Sequence, residues 1–404
     1  MKTKSFKKAA LFLVSALALI NVACNDAEVL PTPTEVQTTQ SEKPSSLRAA
    51  ATFDGLKFGK SIENYMNGKV AGYGYNVIHD GLLVAAGGNG WARKQFESNP
   101  TKHSYQQRQG IASSAKFVTA LATIALLEKY NIPLDSPVYP YLPVTWKPTA
   151  NFKKITFERL LAHQTRLNYG TTGSEWQKFK AAVEDPNLVD GTTRQYDNIN
   201  FSLMAIILPY IGFKETNSKT TAELAALEKN SDTWYTIDAL GLRFRNIVRN
   251  YVFKPSQMQY WSVADYAAWN NYGLMPAENG TKGYPSANGN EPGTLKGDSR
   301  INGGAGGLYI SPNEFGHIQS AAAEGKIISA ENYKQMKSKL LGLDGVVNGV
   351  YGKYYWKNGG ANNHETMIFD MGRTQICVFT NTNLSEIGNK PSIIANAYDA
   401  AWSK

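Results

Sequence analysis

Cysteine is nearly absent from this chain: 404 residues contain only Cys24 and Cys377, so no disulfide framework can hold the fold together. Histidine is also scarce. The five (His79, His103, His163, His317, His364) are scattered without zinc-ligand spacing, and His364-Glu365 lacks the second histidine of a zinc-protease helix, so no metal is expected. No Gly-x-Ser-x-Gly elbow occurs, which argues against an α/β-hydrolase. Gly303 to Gly307 has no following Lys-Ser or Lys-Thr pair, so it is no phosphate-cradling loop, and no cofactor is expected. There is no Lys/Arg block and no internal repeat. The formal charge is +9, but Lys2, Lys4, Lys7 and Lys8 supply almost half of it, so nucleic acid is not an expected partner.

Long apolar runs are missing too. The one near the N-terminus, Ala9 to Ile20, falls well short of the roughly 20 residues that span a bilayer. With basic residues before it and small residues after it, this run reads as an export signal over residues 1–23. Asn21-Val22-Ala23-Cys24 resembles a bacterial lipobox, with Asn21 in place of the usual aliphatic residue. Lipidation at Cys24 is therefore expected, an ordinary signal cut nearby being the alternative. The implied location is a membrane-anchored bacterial lipoprotein facing periplasm or cell surface, with the membrane as a partner through its lipid. Residues 24–50 are rich in Pro, Thr, Ser, Gln and Glu and read as a flexible tether. The folded body is expected over residues 51–404, and its 42% hydrophobic content fits a globular domain.

The body is expected to open with a β-hairpin, because Asp80-Gly81 separates two β-rich runs and suits a turn with positive φ. A second strand pair is expected around Met371-Gly372-Arg373. Helical periodicity marks Phe117 to Leu127 and residues 155–162, 201–208, 221–228 and 238–252. Ser311-Pro312-Asn313-Glu314 has the spacing of a capping box, and Lys390-Pro391-Ser392 starts a terminal helix. Strands at both ends with helices between them imply an α+β fold: an antiparallel sheet built from the two chain ends, flanked by helices, with a mainly helical insertion at about residues 120–300. The Gly-rich stretch from Pro276 to Gly307 reads as a functional loop. Cys377 lies in an apolar run and reads as a small core residue.

Three short motifs carry chemistry. Ser113 and Lys116 lie one helical turn apart on one face, where a desolvated lysine can act as base to a serine nucleophile. Tyr196-Asp197-Asn198 precedes a helix, and offers a phenol for proton relay and an amide for binding substrate. Lys357-Asn358-Gly359-Gly360 follows a strand-like aromatic run, and its glycines let a substrate approach the backbone. Each motif alone is weak: Ser5 and Lys8, Tyr65-Met66-Asn67 and Lys57-Phe58-Gly59 repeat the patterns elsewhere. His163, on an apolar segment, reads as structural.

In their order and separation these motifs resemble the three motifs of the serine β-lactamase and penicillin-binding-protein superfamily, especially its class C β-lactamase and esterase branch. Residues 155–163, 252–258 and 303–311 are similar to segments that flank the motifs there. The resemblance implies a β-lactamase/transpeptidase-like fold. It implies acylation of Ser113, with Lys116 and Tyr196 sharing the general-base work. Asn198, Lys357, Asn358 and Gly359 would bind substrate, and the backbone N–H groups of Ser113 and Gly360 would form the oxyanion hole. Asn358 replaces the hydroxyl usual in the third motif. The expected activity is a serine hydrolase acting on small esters or D-Ala-type cell-wall peptides. The alternatives are a class C-like β-lactamase, or a penicillin-binding or wall-peptide-recognising protein with little turnover.

Overall fold

The computed structural model describes residues 51–383 and 390–403. The signal, Cys24 and the whole of the tether lie outside the described residues. The first strand, β1 (Thr52–Phe53), is followed by a helix rather than a hairpin: α1 (Gly55–Met66) is capped by Asp54, whose side chain accepts from the N–H of Lys57. Phe58, Ile62 and Met66 recur every fourth residue and are buried. That spacing, with polar residues between, is the pattern of an amphipathic helix, which the sequence reading passed over. The two look-alike motifs, Lys57-Phe58-Gly59 and Tyr65-Met66-Asn67, belong to this helix and its cap.

The expected hairpin comes next, as β2 (Gly72–His79) and β3 (Leu82–Arg93), and a short β4 (Thr101–Lys102) follows. Asp80 and Gly81 both take positive φ, 50° and 76°, as a tight turn with right-handed strand twist requires. Then come α2 (Ala115–Lys129), α3 (Phe157–Leu161), α4 (Glu175–Val183), α5 (Ile199–Ser202), α6 (Met204–Glu215), α7 (Thr221–Glu228) and α8 (Leu240–Val248). Helix α3 is shorter than its periodicity suggests, because Thr156 caps its start and His163, at φ 58°, lies just past its end. The expected helix over 238–252 is α8 continued by one wider turn, Arg249–Phe253. Helix α4 carries no strong apolar signal in sequence, and its capping box, Ser174 with Gln177, marks it instead.

After this region come α9 (Pro312–Ala323), opened by the expected Ser311–Glu314 capping box, and α10 (Ala330–Ser338). Four strands return: β5 (Gly345–Gly349), β6 (Gly352–Ala361), β7 (His364–Asp370) and β8 (Thr374–Thr380). The terminal helix α11 (Ser392–Ala400) and β9 (Trp402–Ser403) end the chain. The main sheet is seven-stranded and antiparallel, in the order β5-β6-β7-β8-β2-β3-β4. It joins the two chain ends where β8 lies against β2, from Thr374 opposite His79 to Thr380 opposite Tyr73. The fold is α+β, as the sequence implies.

Both faces of the sheet are covered, which explains the unbroken apolar run of β8. Ile376 and Val378 pack into a cluster with Phe58 and Ile62 of α1 and Ile394 and Tyr398 of α11. Cys377 and Phe379 point the opposite way, into the larger core shared with α2 and α9. Cys377 is fully buried, and burial pushes its thiol up, so it is an inert core residue.

Candidate active site

The site forms where the start of α2 meets the exposed side of β6. Ser113 sits in a 3₁₀ turn (Ala112–Ser114) that runs into α2. Ala112 just before it has φ +45°, a left-handed conformation that costs a non-glycine residue about 1–3 kcal/mol. Thr366 of β7 holds that turn, donating to the carbonyl of Ile111 at 3.1 Å and sharing a 2.7 Å hydrogen bond with Ser114 Oγ. Ser114 is thereby fully buried and occupied, while Ser113 faces open space. This separates two adjacent serines that the sequence presents as equals.

Lys116 is completely buried, and its Nζ lies 3.0 Å from Ser113 Oγ, 2.8 Å from Asn198 Oδ1 and 2.6 Å from the carbonyl of Ala305. Burial, and then repulsion from Lys357, hold its ammonium well below the usual lysine range. A neutral amine has two N–H donors and one lone pair. Two of its partners, the amide oxygen and the carbonyl, can only accept. The lone pair therefore falls to the hydroxyl of Ser113, which is the geometry of a general base.

Tyr196 donates to Ser113 Oγ from the other side at 2.8 Å. Its ring lies 4.5 Å, centroid to centroid, from that of His163. Burial pushes the Tyr196 phenol up to about 12, so at neutral pH it holds its proton. His163 is buried, and burial followed by the charges of Arg194, Lys116 and Lys357 pushes its imidazole down to about 3. As a neutral ring it accepts the N–H of Asp197 at 3.3 Å and so positions the Tyr196 loop, in keeping with its structural reading.

Lys357 is 1% exposed but, unlike Lys116, meets a carboxylate. Its Nζ is 2.8 Å from Asp344 Oδ2 and 2.6 Å from the carbonyl of Asn358. Asp344 also accepts the N–H of Asn358 at 3.1 Å and lies 3.6 Å from Arg194. Strand β5 starts at Gly345, opposite Trp356, so the outer edge of β6 beyond Trp356 is left for the site. In an antiparallel ladder alternate residues turn their N–H groups to the same side. The N–H of Gly360 therefore faces outward with that of Asn358. Gly359 packs on the nucleophile turn: a Cβ there would lie 2.5 Å from the carbonyl of Ile111 and 2.8 Å from the nitrogen of Ser113.

Ser113, Asn198 and Gly360 border two clefts. One, of about 560 Å³, also meets Tyr196, Asp344, Trp356 and Asn358. The other, of about 370 Å³, is lined by the Gly-rich loop, including Lys296, Ser299 and Gly307. All the site residues read from the motifs that fall among the described residues thus converge on Ser113. Sequence reasoning missed Asp344, Arg194, Thr366 and the carbonyl of Ala305. Only Ala305 had a signal, as part of the Gly-rich stretch.

A family model described as Beta-lactamase matches residues 58–211, which hold both Ser113-Lys116 and Tyr196-Asn198. The penicillin-binding protein homologue PbpX of Bacillus subtilis (strain 168) is 24% identical over 361 residues, covering 82% of this chain and 77% of that protein. Over residues 58–211 the chain is thus similar to the Beta-lactamase family, and over most of its length to a penicillin-binding protein. Solved structures at lower identity share the fold. The β-lactamase/D-alanine carboxypeptidase of Yersinia pestis superposes with a TM-score of 0.62 at 14% identity, covering 86% of this chain and 99% of that one. FmtA of Staphylococcus aureus gives 0.59 at 19%, covering 86% and 88%. A D-stereospecific amidohydrolase of a Streptomyces species gives 0.58 at 17%, covering 85% and 98%.

Proposed function

We propose that this protein is an acyl-transfer hydrolase of the β-lactamase and penicillin-binding-protein type that cleaves small esters or amides, D-Ala-type peptides among them, through an acyl-enzyme on Ser113. The observation that carries this reading is the buried Lys116 Nζ, 3.0 Å from Ser113 Oγ with two acceptor-only oxygens as its other partners and its ammonium held well below the usual lysine range. Ser113 Oγ attacks the carbonyl carbon and passes its proton to Lys116. The oxyanion is held by the N–H groups of Ser113 and Gly360. Tyr196 gives its phenolic proton to the leaving nitrogen or oxygen as the bond to the acyl carbon breaks. The phenolate then recovers a proton from the Lys116 ammonium. Its charge is eased meanwhile by Lys116 and Lys357, 5.0 and 5.4 Å from the ring centroid. Water repeats the sequence on the acyl-enzyme.

Asn198 and Lys357 orient the substrate, and Asn358 and Gly359 line the approach. Asn358 stands where an hydroxyl would help hold a carboxylate on the leaving-group side, so neutral esters are favoured over β-lactams. The test is intact-protein mass spectrometry and turnover with a p-nitrophenyl ester and with nitrocefin. Ester hydrolysis through a Ser113 adduct, faster than nitrocefin hydrolysis, is expected. Faster nitrocefin hydrolysis favours the β-lactamase reading, and an adduct that never turns over favours the binding protein. We further propose export and anchoring through lipid on Cys24. Cys24→Ser should move the protein out of the membrane fraction, and equal partition of the two forms rejects the anchor.

A further inference from the structure

The two clefts at Ser113 differ in what they offer a substrate. If Tyr196 protonates the leaving group, the cleft that contains Tyr196 receives the leaving group. The 370 Å³ cleft on the other side then receives the acyl part. This assignment rests on the acyl-transfer reading above.

The wall of the acyl cleft holds a cation that the reaction does not use. The stem of Lys296 passes a small cavity of about 190 Å³ lined by groups such as Leu274, Met275 and Leu295, and its head reaches the acyl cleft. Nζ donates to the carbonyls of Tyr266 at 2.6 Å and Gly297 at 2.5 Å. It also lies 3.6 Å from where a Cβ on Gly307, another lining residue, would sit. An ammonium has three N–H groups, so one is left without a protein acceptor among the described residues. The two carboxylates that act on it electrostatically are already committed. Asp298 pairs with Arg300 at 2.6 Å, and Asp265 with Arg245 and Arg249 at 3.0 and 2.9 Å. Burial lowers the Lys296 ammonium to about 8, which leaves it mostly charged at neutral pH. His364 also borders this cleft, but burial pushes its imidazole down to about 4, so it adds no charge there.

We infer that the acyl cleft is an anion subsite, in which Lys296 selects esters or amides whose acyl part carries a carboxylate and disfavours those carrying a free ammonium. The charged donor completes its third hydrogen bond on the substrate carboxylate, and an ammonium placed there meets like charge instead.

The test keeps the leaving group constant and varies only the acyl end. It compares p-nitrophenyl monoesters of adipic and suberic acid with the neutral alkanoates and the ω-amino acids of matching length. Rates are corrected with Ser113→Ala. A charge-assisted hydrogen bond predicts kcat/KM for a diacid ester roughly tenfold or more above its neutral match, with the amino ester lowest. Lys296→Met should collapse that ratio, while Lys296→Arg should keep the order. Equal rates across charge at both lengths, or a ratio untouched in Lys296→Met, overturns the inference. A binding measurement separates this from failure of the catalytic reading. On Ser113→Ala, calorimetry should find monomethyl adipate or suberate bound more tightly than the dimethyl esters, and Lys296→Met should remove the difference. If no ester is hydrolysed, the acyl-transfer reading fails and the binding result alone decides the subsite: no charge preference there overturns it.

Discussion

Two lysines lie buried close to Tyr196, 5.0 and 5.4 Å from its ring centroid, and the structure treats them in opposite ways. Lys357 has a carboxylate 2.8 Å away, whereas Lys116 has only an amide oxygen, a carbonyl and a serine hydroxyl. Burial works against the charge of both; Asp344 offsets it for both, but only Lys357 has that carboxylate in hydrogen-bond contact. Lys357 also adds to the penalty on Lys116 by repulsion. The same residue type thus becomes a fixed charge in one place and a proton acceptor in the other, and the difference is one contacting carboxylate.

The comparison breaks most sharply at Lys116. Replacing it with methionine keeps the volume and removes the base, so fluorophosphonate labelling of Ser113 should slow about 10²- to 10⁴-fold. Urea unfolding should show stability kept or gained, because a poorly solvated amine is gone. Asp344→Asn should do the reverse to its neighbour. It strands the Lys357 charge, and breaking a buried pair costs about 3–5 kcal/mol, read as a lower urea midpoint. Undiminished stability in that variant would mean that Lys357 does not need its partner. Gly359→Ala leaves both lysines in place but pushes β6 off the nucleophile turn. A misplacement of that kind is expected to lower kcat/KM about 10²-fold for every ester tried. A change of similar or smaller size belongs to Asn358→Thr. Restoring a hydroxyl beside Lys357 should raise nitrocefin turnover relative to the ester by about 10- to 150-fold, and an unchanged ratio would detach Asn358 from substrate choice.

Much of this arrangement was legible in the chain before its structure. The Asp80-Gly81 turn and the Ser311–Glu314 capping box are local signals, and both stand where the sequence puts them. Lys116 was readable because three residues along a helix always bring side chains together. Asp344 was not. It meets Lys357 only because the N–H of Asp344 bonds the carbonyl of Trp356, a register contact between β5 and β6 that no local pattern announces. The choice between Ser113 and Ser114 likewise depends on Thr366, far away in the chain. Helix α1 was readable from Phe58, Ile62 and Met66 but was passed over, and Lys296 was missed because its meaning lies partly in the carbonyl of Tyr266, far away in the chain.

The central claim, a neutral Lys116 acting as base on Ser113, is tested most directly by the pH dependence of Ser113 labelling. The adduct formed with a fluorophosphonate is mapped and its rate is followed from acid to alkaline pH. Folding lowers the pKa of Lys116, so its base form is present above the folded value and is lost as pH falls through it. Tyr196, at about 12, stays protonated across the range. The account predicts a single adduct on Ser113, a rate that falls on acidification with a midpoint well below the usual lysine range, and a low, flat profile in Lys116→Met. An adduct on Ser114, or a Lys116→Met profile that matches wild type, would contradict it.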